Sequence, residues 1–261
     1  MARQTAVDDP ELGALTDDLL TREVRVFQRK KGHRFSSDDV ATAFVAYQAS
    51  PRARRVLDMG CGLGSVLLQL AWKLPGAELC GVEAQAQSFE LLRRNVARSG
   101  FADRLRIVHG DLRDEELMSR FGSGFDLITG TPPYFPTTAA LTAEDEQRAF
   151  ARIEYRGGIE AYIDAGARLL SDEGVMVLCG DARALPRTTN ACARAGLSIT
   201  ARCDVSPRAG RAALFSVWTL KRGVVDSSVA VLPRSSLLTL RSDTGQPTPD
   251  AQRLREFGGF L

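Results

Sequence analysis

From residue 55 onward, short apolar runs alternate with longer amphipathic stretches. Val56–Asp58, Glu78–Glu83, Leu105–His109, Phe125–Thr129 and Val175–Cys179 have the length and composition of strands. Between them lie Ser65–Leu74, Ser88–Ser99, a short Glu115–Phe121, Glu160–Leu170 and Arg183–Ala195, which read as helices. Gly100 and Gly196 follow two of these helices at the position that favours a left-handed residue. Such alternation predicts a doubly wound, mostly parallel α/β sheet. Ser198–Asp204 and Ala212–Arg222 read as an antiparallel hairpin at one edge, which brings the sheet to seven strands.

The flanks carry weaker patterns. Phe27–Tyr47 reads as a short strand or loop and then a helix, with Ser36-Ser37-Asp38-Asp39 as its N-cap region. A strand-like Ser235–Arg241 and a short helix near Pro249–Phe257 close the chain. Residues 1–20 are expected to be a flexible N-terminus, and 21–261 a single domain, since no repeat or low-complexity linker divides them.

Composition narrows the class. Of 261 residues, 44% are apolar and 25% charged, as in an ordinary globular protein. No apolar run approaches the roughly 20 residues that span a bilayer, and Met1 to Asp18 has no secretory h-region. Five cysteines without Cys-x-x-Cys spacing fit reduced thiols, so a cytoplasmic protein with no membrane association is expected. His33 and His109 have no metal-ligand spacing, so no metal site is expected. Net charge is only +2, and nearly all basic residues are arginine, which reads as a compositional preference. Local clustering is more informative: Arg22, Arg25, Arg29, Lys30, Lys31 and Arg34 face only Glu23 in their segment. The segment is read equally as a phosphate-contacting run or a solvated basic one.

The chemistry concentrates at the ends of the predicted strands, where doubly wound sheets bind ligands. Asp58-Met59-Gly60-Cys61-Gly62-Leu63-Gly64 has three glycines in five residues directly after a strand. Such a turn lets a ligand touch the backbone. The carboxylate of Asp58 would repel a pyrophosphate and attract a ligand carrying an ammonium and a sulfonium. S-adenosylmethionine is such a ligand. Glu83, 25 residues further on and at the next strand end, is placed to accept from both ribose hydroxyls. Asp111, at the third, is placed to accept from an adenine amino group. Any one of these acids would pass for a cap; three at successive strand ends point to the cofactor.

The fourth strand end is Thr131-Pro132-Pro133-Tyr134. Tandem prolines give a rigid loop without N–H donors, whose carbonyls face outward, and Tyr134 offers a flat stacking face. A planar amine is a poor nucleophile because its lone pair is delocalised. Acceptors that bind its hydrogens favour pyramidal nitrogen, and so favour the transition state over the ground state.

These motifs resemble the class I S-adenosylmethionine-dependent methyltransferases, which have a Rossmann-like sheet and an Asn/Asp-Pro-Pro-Tyr motif. Within them the chain looks most like the bacterial tRNA1(Val) adenine-N6 methyltransferase family and its small-domain relatives. The resemblance runs from about Phe27 to Phe260. It includes Phe35-Ser36-Ser37-Asp38, Ala151-Arg152-Ile153-Glu154 and the aromatic C-terminal end. It implies a cofactor set of Asp38, Asp58, Gly60, Cys61, Gly62, Gly64, Glu83, Asp111 and Leu112. It implies catalytic positions at Thr131, Pro132, Pro133 and Tyr134. Arg29, Lys30, Lys31, Arg34 and Arg152 become substrate contacts, with structured RNA such as tRNA as the expected partner. Thr131 departs from the family's Asn or Asp; its hydroxyl is shorter and lacks the amide's geometry. Pro136 to Gly158 is expected to form a substrate loop. Two other readings remain at this stage: transfer to a protein amide or small-molecule amine, and a non-catalytic cofactor-binding protein.

Overall fold

The computed structural model describes residues 7–138, 145–223 and 234–260. Three short strands come first: β1 (Val7–Asp9), β2 (Gly13–Leu19) and β3 (Arg25–Arg29), paired antiparallel in a small sheet of their own. Then follow α1 (Ser37–Ala49), β4 (Arg55–Met59), α2 (Ser65–Lys73), β5 (Glu78–Glu83), α3 (Ala86–Arg98) and β6 (Leu105–His109). The chain continues through α4 (Glu115–Ser119), β7 (Phe125–Gly130), α5 (Glu146–Arg152), α6 (Ile159–Leu169) and β8 (Leu170–Asp181). It ends with α7 (Leu185–Arg194), β9 (Leu197–Ser206), β10 (Phe215–Arg222), β11 (Arg234–Thr239) and α8 (Pro249–Phe257).

The central sheet has eight strands in the order β11-β9-β10-β8-β7-β4-β5-β6. β8, β7, β4, β5 and β6 are parallel, and β10 runs antiparallel to both β8 and β9. The expected hairpin is therefore present, and its second strand lies inside the sheet. The expected count of seven is corrected to eight, because Arg234–Thr239 pairs in parallel with β9 and forms a new edge. Chain order reverses between β4 and β7, and a crevice opens beyond their carboxyl ends.

Both faces of the central strands are apolar, as parallel strands covered on two sides must be. Val56, Leu127, Val177 and Val217 point into one core layer beneath α1, α2 and α8. Leu57, Ile128, Met176 and Trp218 alternate with them and point into the other, beneath α6 and α7. Each buried side chain of this size stabilises by about 1.5–3 kcal/mol, so the strand ends are held on a rigid base.

Residues 7–19 differ from the flexible terminus expected for 1–20, since they supply β1 and β2. Their acids have distant partners. Asp17 receives Arg98 at 3.0 Å, Arg94 pairs with Asp9, and Asp18 receives Gln28 at 2.8 Å and Arg34 at 2.9 Å. Gln28 in turn accepts from the Phe35 backbone at 2.8 Å. The small sheet thus fixes the loop that leads into α1, and that loop lines the site.

Candidate active site and cofactor cavity

At the β4–β7 boundary, Asp58 and Thr129 are register partners, and Thr129 Oγ1 donates to Asp58 Oδ1 at 2.8 Å. Asp58 is 2% exposed, and its Oδ2 has no hydrogen-bond partner. Burial pushes its carboxyl up to about 7. A buried, half-satisfied carboxylate is costly unless a cationic group approaches.

The glycine loop turns directly above it. Gly60 (φ +60°) could not carry a side chain, because a Cβ would stand 2.1 Å from the hydroxyl of Tyr162 on α6. Gly62 (φ +57°) faces open space, and its N–H donates to Glu83 Oε2 at 2.9 Å. Glu83 also accepts from the Gln85 backbone at 2.7 Å, and burial raises its carboxyl above the usual range. Asn95 of α3 donates to the Leu63 carbonyl at 2.9 Å and to the Phe27 carbonyl at 3.1 Å, which ties loop, helix and small sheet together.

Gly60, Cys61, Gly62, Glu83, Asp111 and Leu112 line one cavity of ≈ 860 Å³, counting its open mouth. Asp58 and Gly64 lie behind the wall; Gly64 packs against Leu92 of α3. Asp111 is held in an ion pair with Arg113 at 2.8 Å, and the Arg113 hydrogen bonds keep its carboxyl below the usual range. The Cys61 thiol is pushed up by burial, as suits a packing residue.

A second cavity lies on the other side of the Thr131–Tyr134 loop. Thr131, Pro132, Pro133 and Tyr134 all line it, and Thr131 and Pro133 line the first cavity as well. The Tyr134 hydroxyl lies 2.7 Å from Cys179 Sγ of β8 and 3.2 Å from Asp38 Oδ2, so the ring is anchored at its polar end. Burial holds its phenol well above the ordinary value. Asp38 lines the second cavity and not the first, with its carboxylate also receiving the Ser36 hydroxyl. It thus stands apart from Gly60, Cys61, Gly62, Glu83, Asp111 and Leu112 of the expected cofactor set.

The basic positions divide. Lys30, Lys31, Arg34 and Arg152 line the second cavity. Arg29 does not: it pairs with Asp145 at 2.8 Å and donates to the Leu12 carbonyl at 2.9 Å and Gln147 at 3.2 Å. It ties β3 to the β1–β2 turn and to the start of α5, apart from the other expected substrate contacts. The guanidinium of Arg34 is held by Thr16 and Asp18. Arg148 and Arg183 join the same cavity wall. The expected substrate loop carries a helix, α5, started by Asp145 accepting from the Arg148 N–H at 3.0 Å. Its middle, residues 139–144 with Glu144, lies outside the described residues. Phe135 N donates to the Arg152 carbonyl at 2.9 Å, which ties the motif loop to the end of α5.

Sequence reasoning missed Tyr162, His33 and Asp39. Tyr162 packs over both Gly60 and Gly130, and an aromatic seat of that kind has no local pattern. Asp39 read as part of a cap; it is 7% exposed and lines both cavities.

A strand-end glycine cradle, a buried carboxylate with one unpartnered oxygen, and a second acid on the loop define a class I S-adenosylmethionine-dependent methyltransferase. The Methyltransferase small domain family matches residues 27–151. A tRNA1(Val) (adenine(37)-N6)-methyltransferase from Porphyromonas gingivalis is 33% identical over 203 residues, which cover 77% of each chain. One from Yersinia pestis is 28% identical over 173 residues, covering 65% of this chain and 67% of the relative. A structure from Agrobacterium tumefaciens described as a predicted O-methyltransferase superposes with TM-score 0.60 at 18% identity. It covers 87% of this chain and 98% of its own. The chain belongs to the tRNA1(Val) (adenine(37)-N6)-methyltransferase family, and S-adenosylmethionine is its methyl donor. Among the described residues no helix is long and apolar enough to cross a membrane.

Proposed function

We propose that the chain is a cytoplasmic N-methyltransferase that acts on the N6 amino group of an adenine in structured RNA such as tRNA. The observation that carries this is the junction of the two cavities at Thr131 and Pro133, with exposed Lys30, Lys31, Arg148 and Arg152 on the acceptor side. Those cations suit phosphates flanking a base that enters the cavity.

When bound, S-adenosylmethionine supplies an electrophilic methyl with a good leaving group. Glu83 holds the ribose hydroxyls, Asp111 receives the adenine amine of the cofactor, and the field of Asp58 favours its positive charge. On the acceptor side Tyr134 stacks on the target base. The Pro132 carbonyl and the Thr131 hydroxyl accept its amino hydrogens, which draws the nitrogen lone pair out of conjugation. Alignment of the two reactants supplies much of the remaining rate. A protein amide or small-molecule acceptor would leave the cationic rim without partners. The names of the Porphyromonas and Yersinia relatives agree with an RNA acceptor. The test is nucleoside mass spectrometry of tRNA incubated with the purified protein and labelled donor. N6-methyladenosine is expected; label in protein alone would replace this reading with the amide one, and no transfer would leave a cofactor-binding protein.

A further inference from the structure

The methyl group must pass from one cavity to the other, so the target nitrogen must sit among the residues common to both. These are His33, Phe35, Asp39, Thr131, Pro133 and Ala151. Asp39 is the one carboxyl group among them. Thr131 brings a single hydroxyl where the resembled motif has an amide or carboxylate, so the junction is short of one strong acceptor. Resting on the amino-methylation reading above, we propose that Asp39 supplies that acceptor: its carboxylate binds an amino hydrogen of the target and takes the proton released on transfer.

Asp39 is the third residue of α1, and its Oδ2 accepts from the Ser36 backbone N–H at 2.9 Å, closing a capping box. A capping residue is ordinarily exposed. This one is 7% exposed, at the meeting of two cavities, and its bonds from the Ser36 backbone and the Ser65 hydroxyl still leave lone pairs for a further donor. Burial, followed by the nearby charge of Asp38, pushes its carboxyl up to about 8. The groups that face it are Asp38 on its own helix, Asp58 at the end of β4 and Ser65 of α2. Tyr134 and Cys179 feel its charge from the motif loop and β8, and His33 shares its cavities. A cationic ligand beside this acidic group favours its ionised form. A base that titrates near the working pH is the efficient kind.

The step balances without a further reagent. The nitrogen lone pair forms the N–C bond as the methyl–sulfur bond breaks and its electron pair stays on sulfur. The nitrogen is then cationic, and one of its protons passes to the Asp39 carboxylate. Release to water resets the residue.

Asp39→Asn keeps the shape and the amide oxygen that can still accept from Ser36. Single-turnover transfer to bulk tRNA is measured across pH 6 to 9, beside calorimetric S-adenosylmethionine binding. Wild type should accelerate with pH and then level off. Asp39→Asn should be about 100-fold slower and lose that pH dependence, with cofactor affinity within a few-fold of wild type. Thr131→Asp in the Asp39→Asn background should recover at least about tenfold. If Asp39→Asn folds poorly, Asp39→Glu takes its place and should be slower yet keep the pH rise. Independently of activity, carbon NMR of aspartate-labelled protein should show a carboxyl titrating well above the usual aspartate range that Asp39→Asn removes. A wild type that methylates tRNA alongside an equally fast Asp39→Asn overturns the proposal and spares the function. A wild type that transfers nothing to tRNA overturns both.

Discussion

Three buried acids set the behaviour of the site one residue at a time. Unfolded aspartate ionises near 3.9, whereas Asp58 in the fold does so at about 7. Between those values the unfolded chain has released a proton that the folded chain keeps, so rising pH there costs stability. Asp58→Asn should therefore melt at least roughly 2 °C above wild type at pH 8 and lose that advantage only below about pH 4, read by calorimetry. The same change should weaken S-adenosylmethionine by roughly 1–3 kcal/mol at pH 8. Because the ionised form attracts the cation, wild-type affinity should rise as pH climbs through about 7 and then flatten. Full affinity in the variant would remove Asp58 from cofactor binding. The acids of the glycine loop were legible because each ends a predicted strand. Asp39 was not, since a cap and a buried functional acid look alike in sequence.

The elements that hold these residues were partly legible. β4 to β8 and the helices α2, α3, α4 and α6 between them follow local periodicity, and the structure contains each of them. β1 and β2 escaped because Asp17 and Asp18 break the apolar pattern, and their partners Arg98 and Arg34 stand 81 and 16 residues away. β11 looked like a strand, but its parallel seat on β9 depends on a pairing that no local pattern encodes. α5 was hidden in a charged segment whose Gln147 turns inward to Ser88 and Arg29. The glycine loop itself is open to a backbone test. Gly62→Ala meets no atom within 4 Å, so its cost is the positive φ alone, about 1–2 kcal/mol by denaturant unfolding. Asn95→Ala frees two carbonyls and one N–H. It should cost more, about 2–4 kcal/mol, and loosen the cofactor with it.

At the scale of the whole molecule, two cavities face each other across one rigid loop, and their walls differ in charge. The cofactor side is lined by the acids Asp39, Glu83 and Asp111; the acceptor side is larger, at ≈ 1660 Å³ with its mouth, and rimmed by cations. RNA affinity should fall steeply with salt. Replacing Lys30, Lys31, Arg148 and Arg152 by Ala should lower the salt slope by about 3–4, whereas Arg29→Ala should act on stability instead. An unchanged slope would move the RNA to another face. The basic run was visible in sequence, but its division into a strut and a rim was not, because it depends on Asp145 and Asp18 elsewhere in the chain.

The central claim is that the acceptor meets the methyl group at Thr131–Tyr134. Turnover of Tyr134→Ala on tRNA, normalised to its S-adenosylmethionine affinity, tests it most directly. Stacking contributes about 1–3 kcal/mol per base, and the ring lines only the acceptor cavity. Turnover should therefore drop at least about tenfold while cofactor affinity stays at the wild-type value. Unchanged turnover, or equal losses in turnover and cofactor affinity, would contradict the account.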